Sequence, residues 1–115
     1  MRNPKTPVIF EGGRETTEQR SVFAMPQFLI ERHIPGVECM SGAELKSVAR
    51  RSNSVLADLG SDIQWLHSYV VNGKTYCVYL APDEELIREH ARLTGFPCNT
   101  ITEIQQVISP ETGQA

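Results

Sequence analysis

Three thiols, Cys39, Cys77 and Cys98, and four ionisable side chains, Glu31, His33, His67 and Glu103, are the residues of this 115-residue chain best equipped to do chemistry. Thiolates are soft ligands that suit zinc, copper(I) or nickel. No CxxC or HExxH spacing is present, so any metal site must be assembled by the fold. An odd number of widely spaced cysteines argues against a disulfide framework, and a reducing compartment keeps thiols free. The plain alternative is that each is a small buried hydrophobe, the usual fate of free cysteine. Glu31 and His33 stand two apart, which on a strand places them on one face. A carboxylate beside an imidazole ligates a divalent metal or serves as an acid–base pair, although Glu31 could equally be consumed by an ion pair with an arginine. No glycine-rich phosphate loop or Ser-His-Asp arrangement is visible. A Cys77–His67 thiolate pair lacks the helix N-terminus that would activate a mid-strand thiol.

The richest stretch runs from Gln64 to Pro82, where two segments of Trp, Tyr, Val and Leu flank Asn72-Gly73. That dipeptide is the strongest short hairpin signal. His67 alternates with Trp65 and Tyr69, which on a regular strand shares one face. A two-residue turn pairs Val71 with Lys74 and sets His67 opposite Val78. A three-residue loop shifts the pairing and sets His67 opposite Cys77 or Tyr79. Both registers remain open at the level of sequence.

The elements that position these residues read in order. Gln27–Ile34 is a strand closed by Pro35-Gly36. Ser41-Gly42-Ala43-Glu44 is a capping box, opening a helix with Leu45, Ala49, Ser52, Leu56 and Leu59 on one face and Gly60 at its end. Hairpin strands follow at about 63–71 and 74–80. Pro82-Asp83-Glu84-Glu85 starts a second helix, with acidic residues where the helix dipole favours them. Leu86, Ile87, His90, Ala91 and Leu93 form its stripe, and Gly95 then Pro97 stop it. A last strand spans about 100–108. The order βαββαβ predicts an α+β, ferredoxin-like domain, a four-stranded antiparallel sheet with two helices on one face. The opposite face, expected to hold some of Leu29, Trp65, Tyr69 and Ile101, is too apolar to leave in water, so pairing of two sheets into a dimeric α/β barrel is expected.

This topology gives the sheet order 4-1-3-2. It brings the end of the first strand, with Cys39, towards the start of the last, with Cys98, and sets Cys77 on the adjacent third strand. With strands about 4.8 Å apart, the three thiols are expected to converge. The same topology allows Glu103 to face Glu31. Residues 1–24 read as a polar arm with one apolar piece, Val8-Ile9-Phe10; residues 25–110 form the domain and 111–115 a tail.

Charged residues make up 22% and hydrophobic ones 40%, the balance of a globular chain. A net charge of −3 provides no basic field for phosphates, so nucleic acid is not an expected partner. No apolar run approaches the ~20 residues of a bilayer span, and the first residues lack a secretory signal. A cytoplasmic protein is expected. A domain of this size buries about 60–70% of its unfolded surface, which makes dimerisation a natural source of stability.

Phe28-Leu29-Ile30-Glu31-Arg32, Trp65-Leu66-His67-Ser68-Tyr69-Val70, Tyr76-Cys77-Val78-Tyr79 with Ala81-Pro82, Gly95-Phe96-Pro97 and Ile101-Thr102-Glu103 together resemble a family of small bacterial proteins. It was first labelled a domain of unknown function and includes a nickel-binding member with a dimeric ferredoxin-like fold. The resemblance spans residues 26–108. It implies nickel as the metal and Cys77 as the best-matched ligand position, and it supplies no reaction. Cys39 and Cys98 rest on the topology and match no family motif. The expectation is therefore a non-enzymatic, homodimeric metal-binding protein with Cys77, Cys39, Cys98, His67 and Glu31 as candidate ligands. The alternative is a small barrel enzyme or ligand binder whose pocket is lined by Glu31, His67, Tyr69, Tyr79 and Glu103. A structural dimer whose polar hairpin residues satisfy one another is the third possibility.

Overall fold

A capping box, an acidic helix start and one hairpin turn set the frame. In the computed structural model, which describes residues 25–114, Ser41 Oγ accepts from Glu44 N at 3.1 Å. Glu44 Oε1 accepts from Ser41 N at 2.8 Å. The two bonds satisfy orphan amides reciprocally and start α1, Gly42–Leu59. Asp83 Oδ1 caps α2, Glu84–Thr94, by accepting from Leu86 N, and Gly95 ends it in the left-handed region at φ 82°. The strands are β1 (Gln27–His33), β2 (Gln64–Val71), β3 (Lys74–Leu80) and β4 (Thr100–Ile104). The expected arm at residues 1–24 lies outside the described residues.

The four strands form one antiparallel sheet in the order β2-β3-β1-β4, the α+β, ferredoxin-like arrangement. Val71 pairs with Lys74 across Asn72-Gly73, with Gly73 at φ 78°, so the two-residue turn holds and His67 stands opposite Val78. Past His67 the register slips: Trp65, rather than Leu66, pairs with Tyr79. Leu66 is thus the extra residue of a β-bulge.

Alternation divides the sheet into two faces. Phe28, Ile30, Cys77 and Tyr79 point to the helices and build the core with Ile63, Ala81 and Ile87. Leu56, Leu59, Leu86, Trp65, Cys98 and Ile101 pack around them. Trp65 and Ile101 therefore belong to the helix-covered side. The bulge turns Trp65 towards Ser68, to which its indole N–H donates at 2.9 Å, and away from His67. Ile101 pairs with Ile30 and shares its face.

Two helical details also differ from expectation. Thr94 completes the buried stripe begun by Ile87 and His90/Ala91, because it continues their i, i+3/i+4 spacing; Leu93 is rotated off it and 40% exposed. Only Ser52 of α1 is fully buried, and Leu45 lies at the solvated end of that helix. β4 stops at Ile104, opposite Gln27, the first residue of β1, so residues 105–108 have no strand to pair with. A short 3-10 turn, Pro110–Gln114, follows.

Candidate metal-binding face

The face of the sheet away from the helices carries three of the four ionisable residues, Glu31, His33 and His67. Glu31 and His33 leave β1 on this side, as their spacing requires, and His33 Nε2 lies 2.8 Å from Glu31 Oε2. Lys74 Nζ, from the neighbouring β3, donates to the same carboxylate oxygen at 2.8 Å. The hydrogen bonds of Lys74 and then His33 hold the Glu31 carboxyl below its ordinary pKa, and Glu31 in turn raises that of Lys74. The carboxylate is therefore ionised at neutral pH.

The backbone under this pair is clamped. Asn99, in the loop before β4, donates its N–H to Glu31 O at 3.0 Å, and its side-chain oxygen accepts from His33 N at 2.7 Å. At the other end of the hairpin, Gly73 N donates to Glu38 Oε1 at 2.9 Å and Ile34 N donates to Gly73 O. The turn that delivers Lys74 is thus tied to the chain leaving β1. Asn99 and Lys74 had no motif to mark them. Only the strand register makes them neighbours of Glu31.

His67 is on the same open face but on β2, with β3 between it and β1. Its ring meets that of Tyr69 edge-on, with centroids 5.1 Å apart. The cysteines are placed differently. Cys77 is buried on the helix side, paired with Ile30 and Ser68, its Sγ 3.6 Å from Thr75 Oγ1. Cys39 is exposed in a 3-10 turn, and Cys98 is half-buried against the core. Among the described residues, no group of three or more His, Cys, Asp or Glu side chains is placed to hold a metal ion. Glu103 pairs with Phe28, whereas Glu31 pairs with Thr100, so the two carboxylates do not face each other. The lining considered for an organic ligand is split in the same way: Tyr79 and Glu103 lie on the helix side, and Glu31, His67 and Tyr69 on the open one. A surface hollow of about 410 Å³ between the start of β1 and the end of β4 includes Glu103 and none of the other four.

The donor chemistry of Glu31 and His33 fits a borderline divalent ion, since imidazole and carboxylate both ligate nickel(II). One protomer supplies two adjacent donors, fewer than such an ion takes. A second copy related by a two-fold axis would double them.

Comparison with known proteins agrees with this architecture. The crystal structure of SCO4226 from Streptomyces coelicolor A3(2) superposes with a TM-score of 0.61 at 15% identity, covering 71% of this chain and 99% of that one. At that identity the likeness speaks for the fold. No curated protein matches the sequence. Residues 28–104 match the family described as nickel responsive protein SCO4226-like. This stretch runs from β1 to β4 and includes Glu31, His33, His67 and Lys74. The chain belongs to the nickel-responsive SCO4226-like family.

Proposed function

We propose that this chain is a non-enzymatic, cytoplasmic homodimer that binds nickel between two apposed sheets, through Glu31 and His33 of each protomer. The observation that carries the reading is the 2.8 Å contact between His33 Nε2 and Glu31 Oε2 on the face the helices leave uncovered. That face also holds Leu29, Tyr76, Val78 and Leu80, with Tyr69 58% exposed at its side. Such surface favours burial against a like surface. Membership of a nickel-responsive family supports the choice of metal.

Glu31, ionised and held by Lys74, supplies the charge, and His33 supplies the imidazole nitrogen. Lys74 neutralises the carboxylate in the free protein. His67 is available as a further donor from the same face. A bound nickel ion would cross-link two protomers and make the dimer responsive to metal. The thiols are given no part in the site: Cys77 faces the helices and is only 6% exposed, Cys98 packs against the core, and Cys39 lies in the 3-10 turn beyond β1.

Equilibrium dialysis of reduced, untagged protein against nickel(II) tests the reading. Glu31→Gln and His33→Ala should each weaken binding at least about tenfold, as loss of a ligand or its support does. Cys77→Ser should bind as the wild type does. Undiminished binding by His33→Ala together with loss in Cys77→Ser would overturn it.

A further inference from the structure

β1 sends an arginine into the layer between sheet and helices. Phe28, Ile30 and Arg32 alternate onto the covered side, and Arg32 is 2% exposed. A guanidinium stays charged throughout the range in which proteins fold. Its Nη1 donates to Pro97 O at 2.7 Å. The rings of Phe96 and Tyr79 lie 5.8 and 6.0 Å from its Cζ, close enough for cation–π attraction. Its Nη2 is buried and has no hydrogen-bond partner among the described residues. Among the described residues the ion pairs join Glu31, Glu84 and Glu89 to other cations and none reaches Arg32. A buried charge without a counter-charge is heavily penalised.

The other side of Tyr79 shows a second deficit. His90 is fully buried, its ring centroid 5.3 Å from that of Tyr79. Its Nε2 meets Ser52 Oγ at 3.1 Å, while Nδ1 is buried with no partner among the described residues. Burial, and then the charge of Arg32, push the His90 pKa down to about 4, and burial raises that of Tyr79, so both are neutral at pH 7. The polar groups facing this layer are Arg32 and Thr75 from the sheet, Cys77 and Tyr79 beside them, Ser52 from α1, and His90 and Thr94 from α2. Among the described residues none of these buried groups is a carboxylate; Glu103, on the helix side of β4, is exposed, and Arg51 of α1, also exposed, donates to Thr94 O. Among the described residues the layer thus holds one fully buried permanent positive charge, that of Arg32, and two unsatisfied nitrogens.

We propose that a compact monovalent anion, of the size of chloride or formate, binds between the helices and the sheet against Arg32 Nη2, in the cluster formed with Tyr79 and His90. Arg32 supplies the charge and one N–H donor, and the flanking rings of Phe96 and Tyr79 confine the site to small ions. His90 responds through the field of the ion rather than by holding it. The inference is independent of the nickel reading, because it concerns the opposite face of the sheet.

Thermal unfolding at pH 7 and constant ionic strength, with bulky gluconate exchanged for chloride and, separately, for formate, tests it. The wild type should gain about 4 °C or more at saturation, and Arg32→Met should gain nothing. In parallel, the His90 ring proton followed by NMR should titrate at higher pH in chloride or formate than in gluconate. Equal melting temperatures in all three salts, or the same gain in Arg32→Met, would overturn the proposal. Should Arg32→Met fail to fold, the wild-type titration decides alone: a His90 curve unchanged between salts contradicts it.

Discussion

Successive residues of β1 live in different chemical worlds. Phe28, Ile30 and Arg32 face the helices and are between 0% and 4% exposed; Leu29, Glu31 and His33 face the other way and remain half-buried or exposed. On the covered side a charge is isolated from carboxylates and an imidazole is kept neutral. On the open side a carboxylate is surrounded by two cationic or potentially cationic partners and stays ionised. The same residue types thus do opposite things: histidine is structural at position 90 and a candidate ligand at position 33. Burial decides which, and strand alternation decides burial.

The contrast can be broken most severely from the covered side. Ile30→Ala removes a fully buried side chain and should cost about 2–5 kcal/mol in urea unfolding, whereas Leu29→Ala should change protomer stability far less and act mainly on self-association. An equal cost at the two positions would erase the distinction between the faces.

Acid should act next, through His90. Its folded pKa, about 4, lies below the ordinary value of 6.5. Between these two values the unfolded chain binds the extra proton and the folded chain does not. Stability is therefore complete above pH 6.5, falls as pH drops towards 4, and has no further dependence on this group below that. The loss is on the order of 3 kcal/mol, measurable by urea unfolding at pH 7 and pH 4.5, and it should vanish in His90→Gln. Glu31 is displaced in the same direction: its depressed pKa makes its contribution present above the unfolded value and lost only as pH falls through the folded one.

Ser52→Ala takes away the partner of His90 Nε2 and should cost about 1–3 kcal/mol, because the nitrogen is left buried and unpaired. The smallest effect belongs to the open face. Lys74→Met breaks a partly exposed ion pair, and its effect on stability should stay below about 1 kcal/mol. Its nickel affinity in dialysis should nevertheless change, since the carboxylate loses its neutralising partner.

Much of the frame could be read from residue order. Ser41 with Glu44, Asp83 with Glu84-Glu85, Gly95 and Asn72-Gly73 each carry a local mechanism, and each marks an element boundary in the structure. The hairpin register was open in the sequence between a two- and a three-residue turn, and the structure has the two-residue one. The bulge at Leu66 did not, because nothing in Trp65-Leu66-His67 departs from strand chemistry, and that one residue separates Trp65 from the face of His67. The candidate site was legible in part. The spacing of Glu31 and His33 suffices to place them together, but their partners Lys74 and Asn99 are 43 and 66 residues away from Glu31 and His33, respectively. The burial of Arg32 was hidden because arginine normally ends in water, although Ile30 and Phe28, two and four positions earlier, set its direction. The thiols illustrate the limit of topology: strand order brings chain segments near one another, but the direction of Cys77 is set by its pairing with Ile30.

X-ray absorption at the nickel edge, on dialysed and metal-loaded wild-type protein, tests the central claim most directly. A first shell made only of nitrogen and oxygen, with the outer-shell scattering of imidazole, is the predicted result. A sulfur shell, or no nickel retained after dialysis, would contradict the assignment of the metal to the Glu31–His33 face.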